Sequence, residues 1–251
     1  TKTIEDDLLY VHVTSFDQKV VQGVKDALKE HSDTKGLILD LRNNPGGLLD
    51  QAVGLVDLFV DEGVIVSQKG KLKSENLDYR ATKEGTNKDL PLVVLINGGS
   101  ASASEIVSGA LQDFNRTIVI GEKTFGKGSV QVVMPIGADE ALKLTVARYY
   151  LPSGRTIQAV GVTPDITIPL GKIDFAEDTV MLKEKDLKKH LESELAKIDT
   201  ETKKSTKKNE ENNATKEDEK IITEEQIFKD LQLKSAVDIL KALIITNKGK
   251  V

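Results

Sequence analysis

Apolar residues in the first 170 positions follow two spacings, one typical of buried strands and one typical of amphipathic helices. Short apolar runs bounded by turn residues predict strands at residues 8–13, 36–41, 92–96 and 117–120. Helical spacing predicts helices over residues 16–31, 48–60 and 103–114. Because strands and helices alternate, this part of the chain is predicted to be an α/β domain with parallel pairing.

The pattern changes after Gly128, where only strand-like alternation remains. Residues 129–136 and 141–151 alternate between apolar and polar positions, and the sequence Gly137-Ala138-Asp139-Glu140 between them is suited to a turn. We therefore predict an antiparallel β addition to the α/β core, which together occupy residues 1–175.

Beyond residue 175 the composition becomes strongly charged. Residues 176–198 are predicted to contain an amphipathic helix, with Leu187, Leu191 and Leu195 four positions apart. Residues 199–222 are predicted to be a charged flexible linker or loop, since this stretch has almost nothing to bury. Residues 223–251 are predicted to form a C-terminal helical segment that opens with the capping box Thr223-x-x-Gln226. We expect both helices to pack on the core; capture of a partner or of a second copy is the alternative.

Composition excludes several kinds of site in this 251-residue chain. The net charge of −5 argues against a general nucleic-acid binder. The absence of cysteine excludes disulfides, zinc-thiolate sites, iron–sulfur clusters and a cysteine nucleophile. No apolar run is long enough to span a bilayer. Because the chain starts at Thr1 with no methionine, we expect a processed product or an excised fragment.

A string resembling a phosphate-binding loop, Gly121-x-x-x-x-Gly126-Lys127, follows one predicted strand. Position 128 is glycine, where such a loop needs a hydroxyl for magnesium, and strand-like sequence follows where a helix should begin. Without a helix N-terminus the loop lacks most of the groups that bind phosphate. We therefore expect no nucleotide and no other cofactor.

Two other features could carry chemistry. Ser102 lies between a glycine-rich loop and a predicted helix, where free backbone N–H groups can stabilise an oxyanion. The same Ser102-x-x-Glu105 spacing is also a helix capping box. Lys127 lies between glycines, with Phe125 and Val130 nearby; it is either a shielded general base or a turn lysine in solvent.

A serine–histidine pair is not evident, because none of the three histidines neighbours the serine loop. His12 falls in a predicted strand, while His31 and His190 fall in charged helical segments, so we expect structural or solvated roles. A second glycine loop, Gly46-Gly47, follows another buried strand. A serine, a lysine and two glycine loops without a usable histidine together favour Ser/Lys acyl-transfer chemistry.

Five strings in order and spacing resemble the C-terminal processing peptidases, also called tail-specific proteases. They are Leu39-Asp40-Leu41-Arg42-Asn43-Asn44-Pro45-Gly46-Gly47, Ser102-Ala103-Ser104-Glu105-Ile106, Thr124-Phe125-Gly126-Lys127-Gly128-Ser129-Val130-Gln131, Tyr149-Tyr150-Leu151-Pro152-Ser153-Gly154-Arg155-Thr156-Ile157-Gln158 and Gly161-Val162-Thr163-Pro164-Asp165-Ile166. The resemblance covers residues 8–168 and implies a ClpP/crotonase-like α/β core.

The resemblance also implies the roles of individual residues. Ser102 would be the nucleophile, Lys127 the base that takes its proton, and Gln131 the residue that orients the lysine. Gln131 is four positions beyond Lys127, so on a strand the two would share a face. Backbone N–H groups of Ala103 and of either Gly46 or Gly47 would form the oxyanion hole.

The implied function is that of a serine endopeptidase cleaving near the C-termini of exported or partly unfolded proteins. Substrates would have apolar C-terminal tails, and the protein would act in the bacterial periplasm or at the outer face of the inner membrane, without metal or nucleic acid. We expect an export signal and a PDZ domain in the full-length protein, and a possible homodimer through the C-terminal helices. The alternative is a latent or inactive protease-fold scaffold.

Overall fold

The computed structural model describes residues 1–5, 7–73, 76–83, 85–137, 139–173 and 220–248. The helices within these residues are α1 (Val20–Glu30), α2 (Leu49–Asp57), α3 (Ala103–Asp113), α4 (Glu224–Phe228) and α5 (Leu231–Lys248). The strands are β1 (Lys2–Ile4), β2 (Leu8–His12), β3 (Gly36–Asp40), β4 (Val64–Gly70), β5 (Leu77–Arg80), β6 (Leu92–Ile96), β7 (Ile118–Gly121), β8 (Ser129–Pro135), β9 (Ala141–Tyr150), β10 (Ile166–Thr167) and β11 (Ile221–Ile222).

The main sheet has the strand order β10-β7-β6-β3-β2-β1-β11. Strands β2, β3, β6, β7 and β10 are parallel to one another, and β1 is antiparallel to β2. Every residue of β3 and β6 is buried, which explains their continuous apolar sequences: helices cover both faces of the sheet. The predicted parallel α/β architecture is confirmed.

Two apolar clusters fill the two sides of this sheet. One contains helices α2 and α3 and residues such as Leu39 and Val94. The other places Val237 and Leu240 of α5 against Ile38 and Val93. The segment at residues 220–248 therefore forms part of the same core, and its strand β11 extends the sheet by pairing parallel to β1.

An antiparallel sheet with the order β5-β4-β9-β8 adjoins the main one. Its β8–β9 hairpin matches the predicted β addition, with Met134 opposite Leu142. The hairpin extends beyond the end of β4, and it leaves Val133, Met134 and Ile136 exposed.

The C-terminal predictions fall partly outside the described residues. The amphipathic helix expected at residues 176–198 and the linker at residues 199–219 lie there. The last two residues of the expected linker form β11, because they pair with β1 at the edge of the main sheet and Ile222 joins the apolar cluster there. The Thr223 capping box is confirmed, since Gln226 N donates to Thr223 Oγ1 and Thr223 N donates to Gln226 Oε1. None of the helices in the described ranges has the length and apolar character needed to cross a membrane.

Candidate active site

Three loops meet at the carboxyl ends of the adjacent parallel strands β3, β6 and β7, the edge where ligands bind in open α/β sheets. Ser100 holds the loops together. Its Oγ donates to Leu41 O at 2.8 Å in the loop after β3, and its carbonyl accepts from Phe125 N at 3.0 Å in the loop after β7. Ala101 N also donates to Asn44 O at 2.9 Å. The predicted serine, lysine and glycine loops are therefore brought together.

Ser102 precedes the first residue of α3 in a strained backbone conformation. Its φ of 56° and ψ of −111° lie where a residue with a side chain is rarely found, and such strain concentrates at functional sites. Helix α3 is buried from Ala103 to Leu111, so the serine is presented at the end of an element that packing holds in place. The predicted strand–loop–helix setting of Ser102 is confirmed.

Glu105, one turn into α3, is fully buried and links the serine loop to the lysine loop. Its Oε2 accepts from Ser102 N and from Lys127 N, both at 2.8 Å. Its Oε1 accepts from Thr124 Oγ1 at 2.6 Å and from Gly126 N at 2.7 Å. The backbone nitrogens of Ser102 and Lys127 are thus at most 5.6 Å apart, twice the distance to the oxygen they share.

Lys127 has a fixed backbone and an exposed side chain. Lys127 N donates to Glu105, and the two neighbouring glycines are also held: Gly126 O accepts from Ala159 N at 2.9 Å, and Gly128 N donates to Gln158 Oε1 at 3.1 Å. Within the part of the chain that the structure describes, the lysine side chain makes no hydrogen bond or ion pair. Of the two environments that the sequence left open, the structure shows the solvent-exposed one.

Gly46 must be a glycine for the site to close. Its φ is +104°, and a Cβ would lie 2.8 Å from both Ala101 O and Ser102 Cβ, and 3.0 Å from Ala103 N. The loop after β3 therefore touches the serine directly. A Cβ on Gly47 would instead be directed towards Phe16, 2.3 Å from its carbonyl oxygen.

The backbone N–H groups of Gly46 and Gly47 differ in whether they already donate a hydrogen bond. Gly46 N donates to Asn44 Oδ1 at 2.9 Å. Gly47 N and Ala103 N have no acceptor among the described residues. An amide that is already bonded is a poorer donor to a developing oxyanion than a free one, so Gly47 is the better candidate of the pair.

Gln131 lies on β8 opposite Thr145, with an exposed side chain. The expectation that it shares a strand face with Lys127 assumed continuous alternation. The strand begins at Ser129, after the lysine, and its register shifts between Val130 and Gln131, so a spacing of four no longer implies a common face. The side chain of Gln131 has no hydrogen bond in the described ranges.

A buried polar cluster supports the loop after β3. Asp40 accepts from Tyr10 Oη at 2.7 Å and from Arg42 Nη2 at 2.6 Å. Burial lowers the pKa of the Arg42 guanidinium, but the hydrogen bond and charge of Asp40, with those of Asp230, outweigh it and raise the pKa overall. Burial, followed by the charge of Asp40, also raises the pKa of Tyr10 above its usual range.

The histidines are not part of this arrangement. His12 is exposed at the end of β2, His31 follows α1, and neither bonds to Ser102; His190 lies outside the described residues. Sequence reasoning treated Glu105 as a helix cap and missed its contacts with the lysine loop. The Ser-x-x-Glu spacing was the available signal, but it carries no information about residues 124–127.

Comparison with known proteins identifies the family. The model of peptidase family S41 matches residues 7–168, well over half of the chain. The chain belongs to peptidase family S41.

Relatives agree with this assignment. A carboxy-terminal-processing protease of Bartonella bacilliformis is 44% identical over 196 residues, which are 75% of this chain and 45% of that protein. A probable CtpA-like serine protease of Staphylococcus aureus is 42% identical over 167 residues, 64% of this chain and 33% of that protein. The solved photosystem II D1 C-terminal processing protease has 38% identity and a TM-score of 0.59, over 64% of this chain and 42% of its own. The chain thus spans less than half the length of these relatives.

Proposed function

We propose that this chain carries the catalytic core of a serine endopeptidase that uses Ser102 and Lys127 as a dyad. The observation that supports it most strongly is the shared contact of Ser102 N and Lys127 N with one oxygen of Glu105. That contact brings the backbones of a strained serine and a loop lysine into the same small volume. The family assignment supplies the reaction class, hydrolysis of peptide bonds.

The reaction would follow the acyl-enzyme route. Ser102 Oγ attacks the substrate carbonyl carbon while neutral Lys127 Nζ takes the hydroxyl proton. The lysine gives this proton to the departing amine as the peptide bond breaks, which leaves an ester on Ser102. A water molecule, whose proton passes to Lys127, then attacks the ester carbonyl, and the lysine returns this proton to Ser102 Oγ as the ester bond breaks and the acid product leaves.

The oxyanion would be held by the N–H groups of Gly47 and Ala103. The support is that neither N–H has an acceptor among the described residues and that the loop of the first touches Ser102 through Gly46. The start of helix α3 adds its positive dipole end at the same place. Because the side chain of Lys127 is exposed, it must turn inward to reach Ser102. Gln131 would orient the lysine in that inward position.

Substrates would be exported or partly unfolded proteins with apolar C-terminal tails, cleaved outside the cytoplasm of a bacterium. Support comes from the relatives, which include carboxy-terminal-processing proteases. Apolar side chains near the site are also exposed, with Phe125 at 71% and Leu48 at 41%. A PDZ domain elsewhere in the full-length protein would select the tails.

A homodimer through the C-terminal helices would have to use the outer side of α5. Val237 and Leu240 on its inner side pack against the sheet of the same chain, whereas Ile245 is 69% exposed. An Ile245→Glu variant should be monomeric by light scattering if this side forms the dimer.

The exposed Lys127 side chain favours one alternative, a latent protease-fold scaffold whose base is not engaged. Cleavage of an unfolded reporter with an apolar tail separates the two functions. The protease account expects no cleavage by Ser102→Ala, and a loss of about 10³-fold or more in kcat/KM for Lys127→Ala. Lys127→Arg is the matched control, because it keeps a long basic side chain whose guanidinium cannot accept the proton. Cleavage by Ser102→Ala would refute the protease proposal; binding of the reporter without cleavage by the wild type would favour the scaffold.

A further inference from the structure

Glu105 has four hydrogen-bond donors around a fully buried carboxylate, two on each oxygen. A carboxylate offers about four acceptor positions, so every one is used. All the donors are neutral: three backbone N–H groups and the hydroxyl of Thr124. Burying a carboxylate with neutral partners alone carries a large desolvation cost.

Helix capping does not explain this arrangement. A capping box requires one contact from the glutamate, to the backbone of the helix's own first residues, and that contact is the one with Ser102 N. The other three donors come from residues 19 to 22 positions further along the chain. An exposed glutamate or glutamine would cap the helix without the cost of burial.

We propose that Glu105 is a positioning residue that fixes the backbone of Lys127 relative to that of Ser102. This inference rests on the proposed dyad and adds a residue to it. The carboxylate contacts neither substrate nor the reacting atoms; it acts through the two backbones that it joins. Oε2 sets their separation, and Oε1 holds the preceding residues of the lysine loop.

The loop is braced further by Thr124. Its Oγ1 donates to Glu105 and accepts from Val162 N at 2.7 Å, while its own N–H donates to Val162 O at 3.1 Å. The lysine side chain has many rotamers and makes no polar contact of its own in the described residues. The volume that Nζ samples around Ser102 is therefore set by where the backbone is held, so a displaced backbone slows proton transfer.

Glu105→Gln tests this proposal, because glutamine has the same length but presents an NH₂ group to one of the two pairs of donors. We expect kcat for the reporter to fall by about 10²-fold or more, as for a misplaced catalytic group, and KM to change much less than kcat. Amide hydrogen exchange at Ser102, Gly126 and Lys127 should become faster. The matched control is Asp165→Asn, which alters a carboxylate that accepts from Val119 N at 2.8 Å and lies outside these loops. It should preserve kcat and exchange at the three amides.

A second pair of variants covers the case in which Glu105→Gln fails to fold. Thr124→Val removes one donor to Oε1 and should lower kcat, whereas Thr124→Ser keeps the hydroxyl and should restore it. Unchanged exchange at Gly126 and Lys127 in Glu105→Gln would overturn the proposal, as would a kcat close to that of wild type with only a lower melting temperature. Amide exchange does not depend on catalysis. Cleavage by Ser102→Ala would therefore refute the dyad, while the exchange rates at Gly126 and Lys127 would still show whether Glu105 holds the lysine loop.

Discussion

Arg42 Nη1 lies 2.8 Å from the carboxylate of Asp230, although the two residues are 188 positions apart. The same nitrogen donates to Gln232 Oε1 at 3.1 Å, and the other side of the guanidinium holds Asp40. Arg42 lies in the loop after β3, the loop that carries Gly46. The start of helix α5 is therefore tied to the loop that supplies the candidate oxyanion hole.

Replacing Asp230 with alanine should loosen this connection. The variant loses the ion pair with Arg42 and the contact from Leu233 N, at 3.0 Å, that caps helix α5. We expect the free energy of unfolding to fall by about 2 kcal/mol, since a cap contributes roughly 1 and a partly exposed ion pair up to about 1. Urea unfolding measures the change. Glu225→Ala is the control, because its ion pair with Lys229 is exposed and does not reach the sheet; an equal loss in that variant would contradict a specific role for Asp230.

Gly46→Ala should abolish cleavage. The new Cβ would lie 2.8 Å from Ser102 Cβ and Ala101 O, so the loop or the serine must move. Gly154→Ala is the matched control: its φ of +82° imposes a similar backbone cost, of about 1–2 kcal/mol, but no heavy atom lies within 4 Å of its Cβ. The control should be less stable yet keep its kcat. A Gly46→Ala variant with wild-type kcat would show that the loop does not form part of the site.

Tyr10 should make the fold sensitive to alkaline pH. Its pKa is raised in the folded protein by burial and by Asp40, so the unfolded chain loses the phenol proton first as pH rises. The stability it contributes is therefore present below about pH 10 and declines above it, by at most about 1.4 kcal/mol per pH unit. Denaturant unfolding of Tyr10→Phe from pH 7 to 11 should show a constant difference from wild type up to pH 9. Above pH 10 that difference should narrow; parallel curves throughout would contradict the prediction.

The sequence predicted the elements that carry strong apolar periodicity. The predicted range of β6 coincides with the observed strand, and the helices after β3 and β6 end within three residues of their predicted ends. Continuous apolar runs such as Leu92–Ile96 occur because both sheet faces are covered, so local sequence and tertiary environment agree.

The strands that the sequence did not predict have weak local signals. Strands β10 and β11 have two residues each, and the pairing of β11 with β1 depends on residues far apart in the chain. Strand β4 runs from an apolar start into Ser67, Gln68 and Lys69, which reads as a loop in isolation. Pairing with tertiary neighbours decided these elements, and that information is absent from a local window.

The candidate site was predictable in residue type but not in environment. The order of glycine loops, serine and lysine was visible, while the exposure of Lys127 was not. Gly46 N donates to Asn44 Oδ1, which leaves Gly47 N as the glycine donor without an acceptor among the described residues. The spacing of these residues in the sequence does not predict that contact. The contacts of Glu105 with residues 124–127 likewise arise only when β6 and β7 lie side by side.

The Ser102–Lys127 dyad can be tested by the rate and position of labelling with a fluorophosphonate, which forms a stable ester with an activated serine. Ser100 and Ser104 are internal controls, because both hydroxyls are buried and donate to backbone carbonyls. We predict a single adduct on Ser102 by peptide mass spectrometry, formed at least about 10²-fold more slowly in Lys127→Ala. An adduct on another serine, or labelling of Ser102 at the wild-type rate without Lys127, would contradict the dyad.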